Sequence, residues 1–269
     1  PKEYHDRYRV DMKGHGTHAL IMNNLIEIQK RHPAYFSKRL SLTATIAPPS
    51  NIQQVRKYFN RDTLLREIRD KVRISTVDPY ETTFFDAFTD RELEKHNAMV
   101  DALYERYTQA LIMGKYDQLT FEKDIFDRRF LNLIRQLNEG NKNYSYPRGT
   151  CLPGRRRLFV STAGKYYMCE RVGSNYEIGN VDEGFNCQRI YRFIREYERF
   201  FEGCSYCWAQ RLCCRCFNNV RKGDKFDERR RAQFCSEERA RLEQELRTVC
   251  EINEKNPKAF KVFENIASF

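Results

Sequence analysis

Cys204-Ser-Tyr-Cys207-Trp-Ala-Gln-Arg-Leu-Cys213-Cys214-Arg-Cys216 places five cysteines in thirteen residues. Cys151 and Cys169 lie upstream of it and Cys235 downstream. Thiolates bunched with two- and five-residue spacers can wrap a metal ion or an iron–sulfur cluster from one loop. Distant cysteines then close the coordination shell, and the metal node staples remote parts of the chain together. A pair of zinc ribbons would also use four thiolates each. Cys151 and Cys169, however, are not the CxxC pair that such a ribbon takes as its second half. The last histidine is His96, so a mixed Cys/His zinc site in the second half is not expected.

All ten cysteines fall after residue 150. A disulfide framework would suit an exported chain, but the N-terminal Pro-Lys-Glu-Tyr-His-Asp has no apolar signal core. The adjacent pair Cys213-Cys214 is also awkward for disulfides. Metal-bound thiolates in a reducing cytoplasm are therefore the expectation. An apolar fraction of 41% and an aromatic fraction of 13% place the chain among globular proteins. No apolar run reaches the roughly 18 residues of a membrane span. The net charge is +11. A solvated basic surface, an acidic peptide partner, nucleic acid and compensation of an anionic cluster all fit that charge. Arg155, Arg156, Arg157, Arg215, Arg229, Arg230 and Arg231 lie near the cysteines in sequence and could provide the compensation.

Before the cysteines the pattern alternates between helix and strand. Ile21, Leu25 and Ile28 predict an amphipathic helix over residues 17–31, with Thr17 as N-cap and His32-Pro33 ending it. Leu40 to Ile46 alternates and is β-rich, which predicts a strand. Pro48-Pro49-Ser50 reads as a turn, with Ser50 capping a helix that carries Ile52, Val55 and Phe59. Val72 to Val77 is a second strand. Strand, helix and strand in this order predict a βαβ unit with parallel pairing. Two longer helices follow over residues 90–113 and 120–138. The polar, aromatic stretch Gly140 to Tyr146, closed by Pro147 and Gly149, is the expected boundary between domains of residues 1–146 and 147–269. His15 and His18 could chelate together, but solvent-facing or helix-capping roles are the commoner use of such histidines.

After that boundary, Arg157 to Ser161 and Tyr166 to Glu170 predict a β-hairpin turning at Gly164. Gly173 to Gly184 reads as a loop. Residues 187–201 predict an amphipathic helix ending before Gly203. A charged helix follows over residues 236–253, with Ser236 as cap. Its Cys250 reads as a small apolar residue and stays outside the ligand set.

The spacing Cys151, twelve residues, Gly164, four residues, Cys169, a gap, then Cys204-x2-Cys207-x5-Cys213-x2-Cys216, a gap and Cys235 resembles the SPASM auxiliary-cluster domain of radical SAM enzymes. That pattern is Cys, nine to fifteen residues, Gly, four residues, Cys, a gap, Cys-x2-Cys-x5-Cys-x3-Cys, a gap and Cys. Phe159-Val-Ser-Thr-Ala-Gly-Lys-Tyr-Tyr-Met-Cys169-Glu-Arg and Ile178-Gly-Asn-Val181 also resemble it. So does Pro1-Lys-Glu-Tyr-His5-Asp6-Arg-Tyr-Arg9 with Gly14-His-Gly16-Thr17, which is similar to the segment after the fourth barrel strand. Within the family the likeness is greatest to maturases of ribosomally made peptides (RiPPs), including those that form thioethers.

The resemblance implies an α/β fold: the C-terminal part of a partial (β/α) barrel, then an irregular α+β SPASM domain. It implies two auxiliary [4Fe–4S] clusters, an inner one on Cys151, Cys169 and Cys216 and an outer one on Cys204, Cys207, Cys213 and Cys235. The inner set lacks a fourth thiolate. An open iron for a substrate thiolate, Cys214 or Cys187 would complete it. Two departures stand out: Cys213 and Cys216 are separated by two residues instead of three, and the family's Cys-x3-Cys-x2-Cys motif is absent. The chain is therefore expected to be a portion of an oxidoreductase whose full length carries a third [4Fe–4S] cluster and S-adenosylmethionine. The implied partners are a precursor peptide and an electron donor such as a flavodoxin or ferredoxin, with no membrane. The catalytic and S-adenosylmethionine-contacting residues are not identifiable. The alternative is a basic, zinc-ribbon-like module gripping nucleic acid, with Tyr206 and Trp208 as stacking groups.

Overall fold

A computed structural model describes residues 1–47, 51–68, 72–77, 83–119, 121–138, 151–155, 157–172, 176–213, 216–223 and 225–264. The chain is mixed α/β and folds as two compact units, Pro1–Leu131 with Glu251–Phe269, and Asn132–Cys250. The expected linker at 140–146 and the turn at 48–50 lie outside the described residues. Among the described residues no helix is long and apolar enough to cross a membrane.

The first unit begins with α1 (Lys2–Tyr8) and α2 (His18–Arg31). Thr17 occupies the expected N-cap position but makes no side-chain cap bond. Asp6 replaces it: its Oδ1 accepts the His18 backbone N–H at 2.8 Å. A carboxylate satisfies an orphan donor where the helix dipole favours negative charge. His32-Pro33 ends α2 and also starts α3 (Pro33–Arg39), because proline at the first helical position loses only an N–H that had no partner.

The strands β1 (Leu42–Ile46) and β2 (Val72–Thr76) pair in parallel, Leu42 opposite Val72 and Ile46 opposite Thr76. The βαβ expectation is met. Its crossover holds α4 (Ile52–Arg61) and a short α5 (Thr63–Glu67) that the sequence pattern did not separate. The cap of α4 is Asn51, whose side chain accepts the Gln54 N–H at 3.0 Å, and not Ser50. Asp62 caps α5 in the same way and breaks the run into two helices. Leu25, Phe36, Leu64, Leu65 and Ile68 form the core beneath the strands. Next come α6 (Asp90–Ile112), opened by a Thr89/Glu92 capping box, and α7 (Phe121–Asn138). Tyr107 packs on Phe126 and Phe130 with ring centroids 5.4 and 5.3 Å apart. The helical turn Ala259–Phe263 closes on this pair, with Asn256 Nδ2 donating to the Leu111 carbonyl at 2.9 Å.

In the second unit the expected hairpin is present as β3 (Phe159–Val160) and β4 (Lys165–Tyr167), with Gly164 at φ 72°. It belongs to a four-stranded antiparallel sheet in the order β3-β4-β5-β6. The segment read as a loop over residues 173–184 instead contributes β5 (Glu177–Asn180), and β6 (Gly184–Phe185) follows. Gly179 explains why this pairing escapes a propensity reading. At φ 148°, a Cβ there would stand 2.0 Å from the Gly184 carbonyl oxygen, so only glycine lets the strands approach. Helix α8 (Cys187–Phe200), capped by Asn186, lays Phe193 and Tyr197 on this sheet. Met168, Ile178, Phe201, Phe217 and Val220 complete the core. A small ribbon, β7 (Arg221–Lys222) with β8 (Lys225–Phe226), precedes α9 (Glu228–Lys255). That last helix starts well before the expected Ser236. Asp227 accepts the Arg230 N–H at 2.8 Å, and Arg229 to Gln233 contains no helix breaker, so Ser236 lies inside the helix.

Candidate metal centre

The cysteine-rich stretch leaves α8 through a helical turn, Glu202–Tyr206. A ladder of backbone bonds then folds it tightly. Cys204 N–H donates to the Phe201 carbonyl (2.9 Å), Cys207 N–H to Cys204 (3.1 Å), Gln210 N–H to Cys207 (3.0 Å) and Cys213 N–H to Ala209 (2.8 Å). Arg211 tethers the loop outwardly by donating to the Gln136 carbonyl at 3.4 Å. This winding, and not any regular strand, brings Cys204, Cys207 and Cys213 to the wall of one cleft.

Cys204, Cys207 and Cys213 line one small cleft together with Cys235 of α9. Ala209, Gln210, Glu238 and Arg239 complete its wall. The four cysteines are those that the resemblance assigns to an outer cluster. Cys213 is buried, whereas Cys204, Cys207 and Cys235 are half-buried. The Glu238 carboxylate is held by Arg241, whose guanidinium donates to both of its oxygens at 2.7 and 2.9 Å and to Glu245 at 2.6 Å. Arg239 lines the same wall beside that carboxylate, so the cleft carries charge of both signs at its rim. Among the described residues, no three His, Cys, Asp or Glu side chains stand together as a single-ion site. Four cysteine sulfurs line one cleft, three from the wound loop and one from α9, and soft sulfur donors are what an iron–sulfur cluster takes.

The other assigned cysteines are placed one by one. Cys169 is buried beside core residue Met168, and its sulfur accepts the Arg171 N–H at 3.4 Å. Such N–H···S bonds tune thiolate ligands. Cys216 packs on the core of the second unit and opens the turn Phe217–Val220. Cys151 is half-buried ahead of the hairpin. Cys187 is exposed at the first position of α8, and Cys214 lies outside the described residues, as do Arg156 and Arg215. Cys151, Cys169, Cys187, Cys207 and Cys250 are free thiols.

The histidines separate. His15 is exposed and sits on Asp11 at 3.2 Å, whereas His18 Nε2 lies 2.9 Å from the Tyr58 hydroxyl. They do not meet as a chelating pair. Burial holds the His18 imidazole below its ordinary range, so it stays neutral at pH 7. Its contact with Tyr58, forty residues away, had no sequence signal beyond the His5-Asp6 and Gly14-His-Gly16 motif around it. Comparison with known proteins finds no matching family model, no matching curated protein and no matching solved structure.

Proposed function

We propose that this chain is a portion of a radical SAM peptide maturase, its second unit a SPASM-type domain holding two auxiliary [4Fe–4S] clusters. The full-length enzyme would carry the S-adenosylmethionine-cleaving cluster and modify a ribosomally made precursor peptide, with cysteine thioether formation as the reaction. The supporting observation is the cleft that gathers Cys204, Cys207, Cys213 and Cys235. When bound, the auxiliary clusters would supply one-electron redox chemistry and a position for a substrate thiolate. The chain's own residues do the holding. The wound loop fixes three ligands, α9 supplies the fourth, and the Arg171 N–H steadies the Cys169 sulfur. The parallel pair β1–β2 would be part of the partial barrel. A flavodoxin or ferredoxin would deliver electrons.

Anaerobic purification with iron, sulfide and zinc analysis tests this reading. A brown protein absorbing near ~400 nm, with about eight irons and matching sulfide, is expected. Cys235→Ala should lose about half of that iron, since it removes one ligand of one cluster. Cys250→Ala should lose none. A colourless chain with one or two zincs would overturn the proposal and favour the basic zinc-ribbon module, for which salt-dependent nucleic-acid binding is the direct assay.

A further inference from the structure

The first unit contains a cavity of about 560 Å³, walled by α1, α2, β1 and α4. That is the size of a small-molecule pocket. Most of its wall is apolar: Met22, Leu25, Leu42, Ile46 and Phe59 are among the lining residues. Leu25 and Ile46 are buried members of the unit's core, so this side of the cavity is rigid.

Its polar groups gather at one end. His18 and Tyr58 are joined at 2.9 Å, and the His5 ring stands edge-on to His18 with centroids 5.7 Å apart. Arg9 also lines the cavity, and its carbonyl accepts the N–H of Thr17, the residue before His18, at 3.2 Å. Among the described residues no Asp or Glu lines the cavity. The carboxylate nearest in the chain, Asp6, is turned onto the His18 backbone N–H and the His5 ring. Among the described lining residues the charged side chain, Arg9, is therefore positive. Among those residues a cation would find no counter-charge, and a neutral apolar molecule would gain nothing from Arg9. An anionic head would meet a guanidinium and the one proton that the bonded His18–Tyr58 pair leaves over.

We propose that this cavity binds a free apolar carboxylate, its head at Arg9 and His18 and its body along Met22, Leu25 and Leu42. The inference does not rest on the cysteine cleft, and metal content does not enter its test.

The experiment uses the 269-residue chain and the fluorescence of anilinonaphthalene sulfonate as an apolar-anion probe. The expected result is one probe per chain, displaced by decanoate at a concentration at least about tenfold below that needed for 1-decanol. Arg9→Gln should weaken decanoate about tenfold and leave 1-decanol unchanged. Ala44→Trp, which fills the cavity from β1, should abolish probe binding while the far-ultraviolet circular dichroism stays that of the parent. Should that variant fail to fold, Arg9→Gln alone decides. The proposal is overturned by equal displacement by acid and alcohol, by an Arg9→Gln chain that binds decanoate like the parent, or by probe retained on folded Ala44→Trp. Displacement by S-adenosylmethionine as readily as by decanoate would also overturn it, since among the described residues the cavity has no carboxylate for a sulfonium or ammonium.

Discussion

Tyr107→Phe is expected to destabilise the first unit and to flatten its alkaline unfolding. The Tyr107 ring is fully buried on α6, and its hydroxyl donates to Asp127 Oδ1 on α7 at 2.8 Å. Tyr116 donates to the other oxygen at 2.6 Å. Phe keeps the ring packing on Phe126 and Phe130 but leaves a half-buried carboxylate short of one donor. A hydrogen bond to a charged group contributes about 1.5–3 kcal/mol, and that is the expected loss near neutral pH. In a unit of this size it lowers Tm by roughly 3–12 °C. The pH signature is sharper. Burial first, then the Asp127 charge, raises the Tyr107 phenol well above its ordinary range; burial and the bond to Asp127 do the same for Tyr116. Phenols raised in the folded state contribute stability that is complete below the unfolded value of about 10 and is lost as pH rises beyond it. At pH ~11 each phenol has given up about 1.4 kcal/mol. The variant has one fewer such phenol, so its deficit against the parent should shrink by about 1.4 kcal/mol between pH ~8 and ~11. Lysines and cysteines titrate in both chains and cancel in the difference. Urea unfolding followed by far-ultraviolet circular dichroism at both pH values measures it. A deficit that is the same at both pH values, or below about 0.5 kcal/mol at pH ~8, refutes the reasoning.

Glu122 is buried and its Oε1 accepts from Arg56 at 3.0 Å and sits 3.3 Å from Arg106 Nε, so Arg56→Ala should cost about 3–5 kcal/mol in urea unfolding. Arg106→Ala removes the more exposed partner and should cost under about 1 kcal/mol. Gly179→Ala puts a Cβ 2.0 Å from the Gly184 carbonyl oxygen at a φ that disfavours side chains. It should destabilise the second unit by about 3 kcal/mol or more, read from the single tryptophan, Trp208. Gly16→Ala brings a Cβ to 2.1 Å from the Asp6 Cγ, so the Asp6 bond to the His18 N–H must open; amide exchange at His18 should accelerate while β5–β6 amides are unaffected.

Elements written in a local hydrophobic pattern were legible in the sequence. The β-rich alternation before Ile46 and the run Val72 to Val77 are the parallel strands, whereas the Thr89/Glu92 capping box, three residues long, was not read beforehand. Caps reached from a distance were not. Asp6 serves a helix twelve residues later, which no local pattern encodes. Where two cap residues are neighbours, as Ser50 and Asn51 are, or where a helix former follows an earlier acceptor, as after Asp227, composition favours the wrong one. The strands β5 and β6 were hidden because glycine, usually a strand weakener, is what permits their contact.

The same distinction governs the cysteines. Spacing within Cys204 to Cys213 determines how one loop can wind, and the winding is a series of local N–H to carbonyl bonds. Cys235 could be paired with that loop in advance only through the resemblance, because its approach depends on where α9 begins. A helix starting at Ser236 would leave Cys235 on a flexible lead. Starting at Glu228 instead, α9 makes Cys235 a rigid helical position with Glu238 and Arg239 one turn further along the same wall. Two helix turns of difference thus convert a free tether into a fixed ligand direction.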